Sequence, residues 1–301
     1  MVQPVFRFAP SPNGYLHLGH AFSALINQQI CESINGKMLL RLENTDISRC
    51  RNCYEEAIVE DLTWVGFEWQ GEIRRQSDHF DHYAGILDDL EHEGLAYPSF
   101  LSRRQINFLV SENEETTGKS WPRDPDGAIH YPGNEYNMDP LTRQQMRDQH
   151  PNFAMRLNIK EAQNWLVRQM PGALTWRELD YQNKDSAAHI KQINCQPQQW
   201  GDLVLGRQDI PASYHLACVV DDGLQGVTHV VRGKDIYPAT AIHRLLQEIL
   251  GLADPLYFHH ELIVDEEGNK FSKRHGRTSL RELREAGLQP GDIHRMIGIK
   301  L

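Results

Sequence analysis

The segment Pro10-Ser11-Pro12-Asn13-Gly14-Tyr15-Leu16-His17-Leu18-Gly19-His20, preceded by the β-prone run Val5-Phe6-Arg7-Phe8, reads as a strand, a turn and the start of a helix. Two prolines with Asn13 and Gly14 supply dense turn chemistry, and Leu16, Leu18, Ala21, Phe22, Leu25, Ile26 and Ile30 then recur at helical spacing. A helix start offers unpaired backbone N–H groups and the positive end of a dipole, which suit a nucleotide phosphate. His17 and His20 fall on one face of that helix, and Gly19 between them lets a flat base or sugar approach the backbone. Two surface histidines on an amphipathic helix fit the same spacing. Neither Gly-x-Gly-x-x-Gly nor Gly-x4-Gly-Lys-Ser/Thr occurs here, which argues against dinucleotide redox chemistry and a P-loop.

Working outward, Asn35-Gly36 ends the helix and Lys37–Leu42 follows as a second strand, with helices expected near Cys53–Val65 and Phe80–His92. Strands alternating with helices of this length predict parallel βαβ units and an open α/β sheet. From about Leu95 to Pro151 the periodicity lapses into proline-rich turns, which reads as an insertion. Strands are expected again at Phe153–Ile159, Leu174–Leu179 and Leu203–Leu205, then at Ser213–Val220 and Val227–Val231 ahead of a helix at Pro238–Leu250. Two short helices are expected near Leu280–Ala286 and Gly291–Ile297. The resulting division is 1–95 for the first half of an α/β domain, 96–205 for the insertion, 206–250 for the second half and 251–301 for a C-terminal region.

The 301 residues are 40% hydrophobic and 24% charged, ordinary globular usage. No apolar run approaches the roughly 20 residues that cross a bilayer, and the amino terminus has no leader pattern, so a soluble cytoplasmic protein is expected. A formal charge of −10 argues against non-specific coating of nucleic acid and leaves room for a specific RNA partner on a local basic patch. Five scattered cysteines are read as thiols, and Cys50 and Cys53 as a pair at a helix start rather than a metal or redox site.

A second chemical feature is Asn269-Lys270-Phe271-Ser272-Lys273-Arg274-His275-Gly276, after the acidic loop Asp265-Glu266-Glu267-Gly268. Its three cations could wrap a polyphosphate as a lid, lysine acting as a point charge on leaving-group oxygens; a solvated basic loop is the alternative.

Together, His17-x-Gly19-His20 and Lys270-x-Ser272-Lys273 resemble the paired HIGH and KMSKS signatures of class I aminoacyl-tRNA synthetases. Arg7-Phe8-Ala9-Pro10-Ser11-Pro12, Arg41-Leu42-Glu43-Asn44-Thr45-Asp46, Trp64-Val65-Gly66, Tyr214-His215-Leu216-Ala217, Val219-Val220-Asp221-Asp222 and Val230-Val231-Arg232-Gly233 are similar to glutamyl-tRNA synthetase blocks, in the family's order. The resemblance implies a Rossmann-like α/β catalytic domain with an inserted α+β subdomain and a short C-terminal KMSKS-loop region. Only 27 residues follow Arg274, so no anticodon-binding domain is expected and the chain resembles the shortened paralogues in the family. These activate L-glutamate and transfer it to the queuosine base in the anticodon loop of tRNA(Asp). Charging of a tRNA terminal ribose, a catalytically silent tRNA-binding paralogue and a non-synthetase nucleotidyltransferase remain as alternatives.

The resemblance implies that Arg7, Ala9, Ser11, Glu43, Tyr214 and Arg232 bind glutamate, and that His17, Gly19, His20, Lys270, Ser272 and Lys273 bind ATP, with His17, His20 and Lys273 catalytic. The residue types agree: a γ-carboxylate needs a cationic fork (Arg7, Arg232), the ammonium an acceptor (Glu43), and Tyr214 gives a hydroxyl and an aromatic wall. Glutamine would leave an arginine underpaired. Mg2+ should accompany ATP, held mostly by phosphate and water. The chain is expected to be a monomer without membrane association.

Relatives often hold a structural zinc in the insertion; here Ser99 and Leu101 stand where thiolates would be, and Tyr131–Glu135 has no cysteine. Zinc is therefore expected to be absent, with apolar packing around Phe100, Leu101 and Trp121 in its place. Asn44 departs from an acidic residue frequent in its block. His79, His82, His259 and His260 are read mostly as surface or cap residues, and Arg103, Arg104, Arg143 and Arg147 as a tRNA-facing patch or a solvated face.

Overall fold

The computed structural model describes residues 3–170, 172–180, 189–263 and 278–299. The first strand, β1 (Val5–Phe8), leads through the proline turn into α1 (Leu18–Ser33), and β2 (Lys37–Leu42) returns parallel to β1 with Val5 opposite Lys37. The turn between them uses Asn35 at φ 53° and Gly36, where an added Cβ would lie 2.9 Å from both the Cys31 sulfur and the Phe6 ring. A second crossover, α2 (Asn52–Trp64), leads to the short β3 (Arg74–Arg75) beside β2, followed by α3 (Phe80–His92).

The insertion then starts with β4 (Ala96–Ser99), α4 (Arg103–Thr117), α5 (Pro140–Gln149), β5 (Ala154–Leu157) and α6 (Ile159–Gln169). It continues with β6 (Thr175–Asp180), β7 (His189–Asn194) and β8 (Val204–Arg207). The chain ends with α7 (Tyr214–Leu224), β9 (His229–Gly233), α8 (Thr240–Ile249), β10 (Leu256–His260), α9 (Leu280–Glu285) and α10 (Pro290–Met296).

β4, β5 and β8 form an antiparallel sheet of their own, whereas β6 ladders parallel onto β10, which pairs parallel with β9. β9 lies beside β1: Thr228 N donates to Val5 O at 2.9 Å, and Val5 N donates to Thr228 Oγ1 at 2.8 Å. The chain therefore runs outward from β1 through β2 and β3 on one side and resumes at β9 and β10 on the other. The carboxyl ends of β1 and β9 thus lie side by side, the place where an open α/β sheet binds its ligands. One core packs α1, β1, β2, α2 and the C-terminal helices around Phe6, Leu40, Ile58 and Ile293; another packs α3, α7 and α8 against the antiparallel sheet.

The open α/β sheet expected from the sequence is present, with four corrections in detail. Ser213–Val220 is not a strand: Ser213 caps α7, whose Leu216, Ala217, Val219 and Val220 are all buried, so its apolar run carries no polar face to reveal a helical period. The stretch after Leu95 holds two full helices, α4 and α5, and another, α6, begins at Ile159, inside the run expected as a strand. Among them, α4 buries only Val110 and α5 buries nothing. Their ends are set by side-chain caps, Ser102 with Gln105, Asp139 before Pro140, and Asn158. The strand β10 was not expected, although it carries His259 and His260 into the core. Finally, β7 pairs antiparallel with β6, extending the sheet of β6, β10 and β9 from within the 96–205 interval.

Candidate active site

The proline turn delivers α1 with an unusual cap. The Nδ1 of His17 accepts from Gly19 N at 3.1 Å, the Nδ1 of His20 accepts from His17 N at 3.2 Å, and the two rings lie 3.8 Å apart. With Nδ1 an acceptor in both rings, the proton of each neutral imidazole sits on Nε2. Part of the helix N-terminus is thus satisfied by the histidines themselves, and the donors it can offer a phosphate include imidazole N–H groups. A cleft of about 570 Å3 lies beside His17, lined by Asn13, Gly14, Tyr15 and Tyr54 on one side and Ser279 and Arg281 on the other. Lys270, Ser272 and Lys273 lie outside the described residues. The chain on either side of that interval is anchored near α1: Leu280 N donates to Leu16 O at 2.8 Å, and Ile263 packs in the α1 core.

Arg7, Glu43, Tyr214 and Arg232 meet at the carboxyl edge of the sheet. Arg7 on β1 is buried and donates through Nε to Asp222 Oδ1 at 3.0 Å. Arg41 on β2 is fully buried and reaches Asp222 Oδ1 at 2.8 Å and Glu43 Oε1 at 3.3 Å. Burial pushes the Asp222 carboxyl up, but Arg7 and Arg41 outweigh it and hold it below its ordinary value. Burial raises Glu43 above the usual carboxylate range against the pull of Arg41 and Arg7. It also raises the Tyr214 hydroxyl, which feels the charges of Arg232, Glu43 and Arg7, so these groups share one neighbourhood. Ser11 Oγ donates to Glu43 O at 2.9 Å, and Glu43 N donates to Pro10 O, so the loop carrying Ala9 and Ser11 is tied to the one carrying Glu43.

Arg232 at the end of β9 is different. It is 5% exposed, and its hydrogen bonds run to His259 Nε2 (3.0 Å), His243 Nδ1 (3.1 Å) and Thr240 Oγ1 (2.7 Å). All three partners are neutral. Among the described residues no carboxylate pairs with it. Arg7, Arg41 and Arg232 against Asp222 and Glu43 leave one positive charge in the pocket.

Several of these residues escaped functional notice in the sequence. Arg41, Asp221 and Asp222 stand in recognisable blocks but showed no role. Asp221 is fully buried and is held by Arg74 (2.9 Å), Gln76 (3.1 Å) and the Tyr83 hydroxyl (2.9 Å), which pins α7 to the first half of the sheet. His259 and His260 are not surface residues: both are buried, His260 donating to or accepting from Ser23 of α1 at 3.0 Å. Asn44, in place of an acidic residue, binds Glu55 and Ser77 through Nδ2, both at 2.9 Å, and stands outside the charged cluster.

In the insertion, the stretch where apolar packing was expected in place of zinc is held largely by polar bonds. Tyr131 donates to Glu135 Oε1, Arg156 stacks over the Tyr131 ring at 4.0 Å, and Arg156 Nε donates to Ser99 Oγ at 2.9 Å. Phe100 does pack near Phe153, while the Trp121 indole donates to His130 O. Among the described residues no group of three or more His, Cys, Asp or Glu could hold a metal ion. Metal analysis of the purified protein is expected to find no stoichiometric zinc, and one equivalent per chain would refute this. The suggested arginine patch is also divided: Arg143 and Arg147 turn inward to Glu91. A cleft of about 580 Å3 lies between the antiparallel sheet and α7, and His215, on its lining, stands 3.2 Å from His243. No helix among the described residues is long and apolar enough to cross a membrane.

Residues 4–299 match the family model of class I tRNA synthetases (E and Q), catalytic domain. The chain is 38% identical over 298 residues to a glutamyl-Q tRNA(Asp) synthetase of Rhodobacter capsulatus, covering 98% of this chain and 100% of that protein. It is 36% identical over 284 residues to a glutamate–tRNA ligase of Aquifex aeolicus, covering 94% of this chain but 54% of the ligase. Among solved structures, a glutamate tRNA ligase from Elizabethkingia meningosepticum in complex with its amino acid superposes with a TM-score of 0.68 at 25% identity, over 95% of this chain and 54% of that one. The chain thus spans about half the length of the glutamate–tRNA ligases it matches.

Proposed function

Because the chain belongs to the class I tRNA synthetases of the glutamate and glutamine type, we propose that it activates L-glutamate with ATP and transfers the glutamyl group to the queuosine base of tRNA(Asp). The observation that carries glutamate is the uncompensated Arg232 charge. A ligand with two carboxylates and one ammonium brings a net charge of minus one, which balances the pocket; glutamine brings none. Glu43 accepts the ammonium, whose positive charge offsets the burial that disfavours its carboxylate form.

In the first step a glutamate α-carboxylate oxygen attacks the α-phosphorus of ATP, the bond to the bridging oxygen breaks, and pyrophosphate leaves. No side-chain nucleophile is required, so the protein's task is positioning and stabilising the spreading charge. His17 and His20 donate Nε2–H to phosphate oxygens at the mouth of α1, and Lys273, with Lys270 and Ser272, stabilises the departing pyrophosphate. Mg2+ is expected to arrive as MgATP, with phosphate and water as its ligands. In the second step an acceptor hydroxyl attacks the acyl carbon and AMP leaves. The cleft beside His215 supports entry of that acceptor between the antiparallel sheet and α7.

The queuosine acceptor rests on the full-length match to the Rhodobacter protein. Glutamate-dependent exchange of pyrophosphate into ATP, with and without tRNA, tests the reading. Exchange without tRNA, then transfer to tRNA(Asp) only when queuosine is present, is expected. Exchange that needs tRNA and transfer independent of queuosine would instead support charging of the terminal ribose. No exchange in either condition would point to a silent paralogue.

A further inference from the structure

The partners of Arg232 form a continuous hydrogen-bonded chain. Glu178 accepts from His259 Nδ1 at 2.9 Å, and His259 Nε2 faces both Arg232 Nε (3.0 Å) and Thr240 Oγ1 (3.2 Å). On the other side, Arg232 Nη1 meets His243 Nδ1 at 3.1 Å, and His243 Nε2 meets His215 Nδ1 at 3.2 Å. A guanidinium has only donors, so each imidazole nitrogen facing it must be an unprotonated acceptor. This fixes both tautomers: His259 carries its proton on Nδ1, toward Glu178, and His243 carries its proton on Nε2, toward His215. Thr240 accepts from Arg232 and donates to His259 Nε2. Glu178, an anion one imidazole removed, is further engaged by the Trp176 indole at 3.0 Å.

We infer that His243, His259 and Thr240 are specificity-determining positioning residues: they fix the Arg232 guanidinium through neutral acceptors, so that it is rigid but not neutralised and keeps its charge for the substrate carboxylate. A carboxylate at any of these positions would hold the arginine as well and cancel the charge, as Asp222 and Glu43 together do for Arg7 and Arg41. Burial above all, then Arg232, holds His215 down to about 4 and His243 well below its ordinary value. Burial likewise holds His259 down to about 4 despite Glu178. The three rings therefore remain uncharged at neutral pH. Tyr214 and Tyr257 flank the group with uncharged aromatic faces. The inference rests on the glutamate reading and adds to it a source for discrimination against glutamine.

The isosteric pair His243→Asn and His243→Asp tests it. Both keep an acceptor oxygen for Arg232; only Asp adds a negative charge. In pyrophosphate exchange the Asn variant should show a modest rise in KM for glutamate and retain the preference over glutamine. The Asp variant should raise the glutamate KM by about tenfold or more beyond Asn and reduce the glutamate-to-glutamine preference, with KM for ATP little changed. Equal effects of Asn and Asp would overturn the inference, since a merely structural role does not distinguish them by charge. If the His243 variants fail to fold, Thr240→Asn and Thr240→Asp give the same comparison at the start of α8, where an acidic residue is tolerated by the helix. Glutamate binding by the wild-type protein, measured calorimetrically, separates the two failures: no binding sinks the glutamate reading, whereas binding with indifferent Asn and Asp variants sinks only this inference.

Discussion

Arg232→Met is expected to raise the glutamate KM by about 10²- to 10⁴-fold, because two charge-assisted hydrogen bonds to a buried carboxylate contribute about 1.5–3 kcal/mol each. Methionine fills most of the volume, and the chain folds around it at the cost of three unmet partners, His259, His243 and Thr240. The histidines can then turn to one another or to water. The change falls on glutamate rather than ATP, since neither His17 nor His20 contacts Arg232 through any of these bonds. Arg232→Lys is expected to recover only part of the loss: an ammonium keeps the charge but lacks the planar fork that meets three acceptors and a carboxylate together. Initial rates of pyrophosphate exchange across a glutamate series, with thermal unfolding as a control for folding, measure both variants. An unchanged glutamate KM in Arg232→Met would remove Arg232 from the amino-acid site.

The sequence made the poles of this pocket legible and its interior illegible. His17, His20 and Gly19 are local features: their spacing alone puts them at one helix start, and the structure keeps them there as mutual caps. Glu43 and Arg232 could be placed at strand ends because each follows a short apolar run, Met38–Leu40 in β2 and Val230–Val231 in β9. Arg7 was expected as a substrate cation, yet its Nε is committed to Asp222, 215 residues away in the chain, and no local pattern encodes a pairing at that distance. His243 and His259 escaped for the same reason. One sits on a helix whose residues from Thr240 to Gln247 are all buried, the other on a strand that was not foreseen, and only tertiary packing reveals them as neighbours. The helices α4 and α5 were obscured differently. With almost no buried face they hold few apolar residues for a pattern to stand on, and their ends are written in caps.

Asp222→Asn is expected to produce the largest loss of stability of any single change in the pocket. The carboxylate lies between two buried guanidinium groups, Arg7 at 3.0 Å and Arg41 at 2.8 Å, with Arg7 5% and Arg41 0% exposed. Asparagine can still accept one hydrogen bond but offers no charge, so a buried excess of positive charge remains in the first β-strands and α7. Breaking a buried pair in this way costs about 3–5 kcal/mol. Urea unfolding at neutral pH should show a lower midpoint with little change in slope. The pH dependence follows from the direction of the shift. Arg7 and Arg41 hold the folded carboxyl below its ordinary value of 3.8, so the wild-type advantage is complete above that value and is lost as pH falls through the lower folded one. Wild type and variant should therefore differ by a constant margin from neutral pH down to about pH 5 and converge only in strong acid. Equal midpoints at neutral pH would mean that the two arginines find other compensation when Asp222 is neutral, with Glu43, already bonded to Arg41 at 3.3 Å, the nearest anion able to supply it.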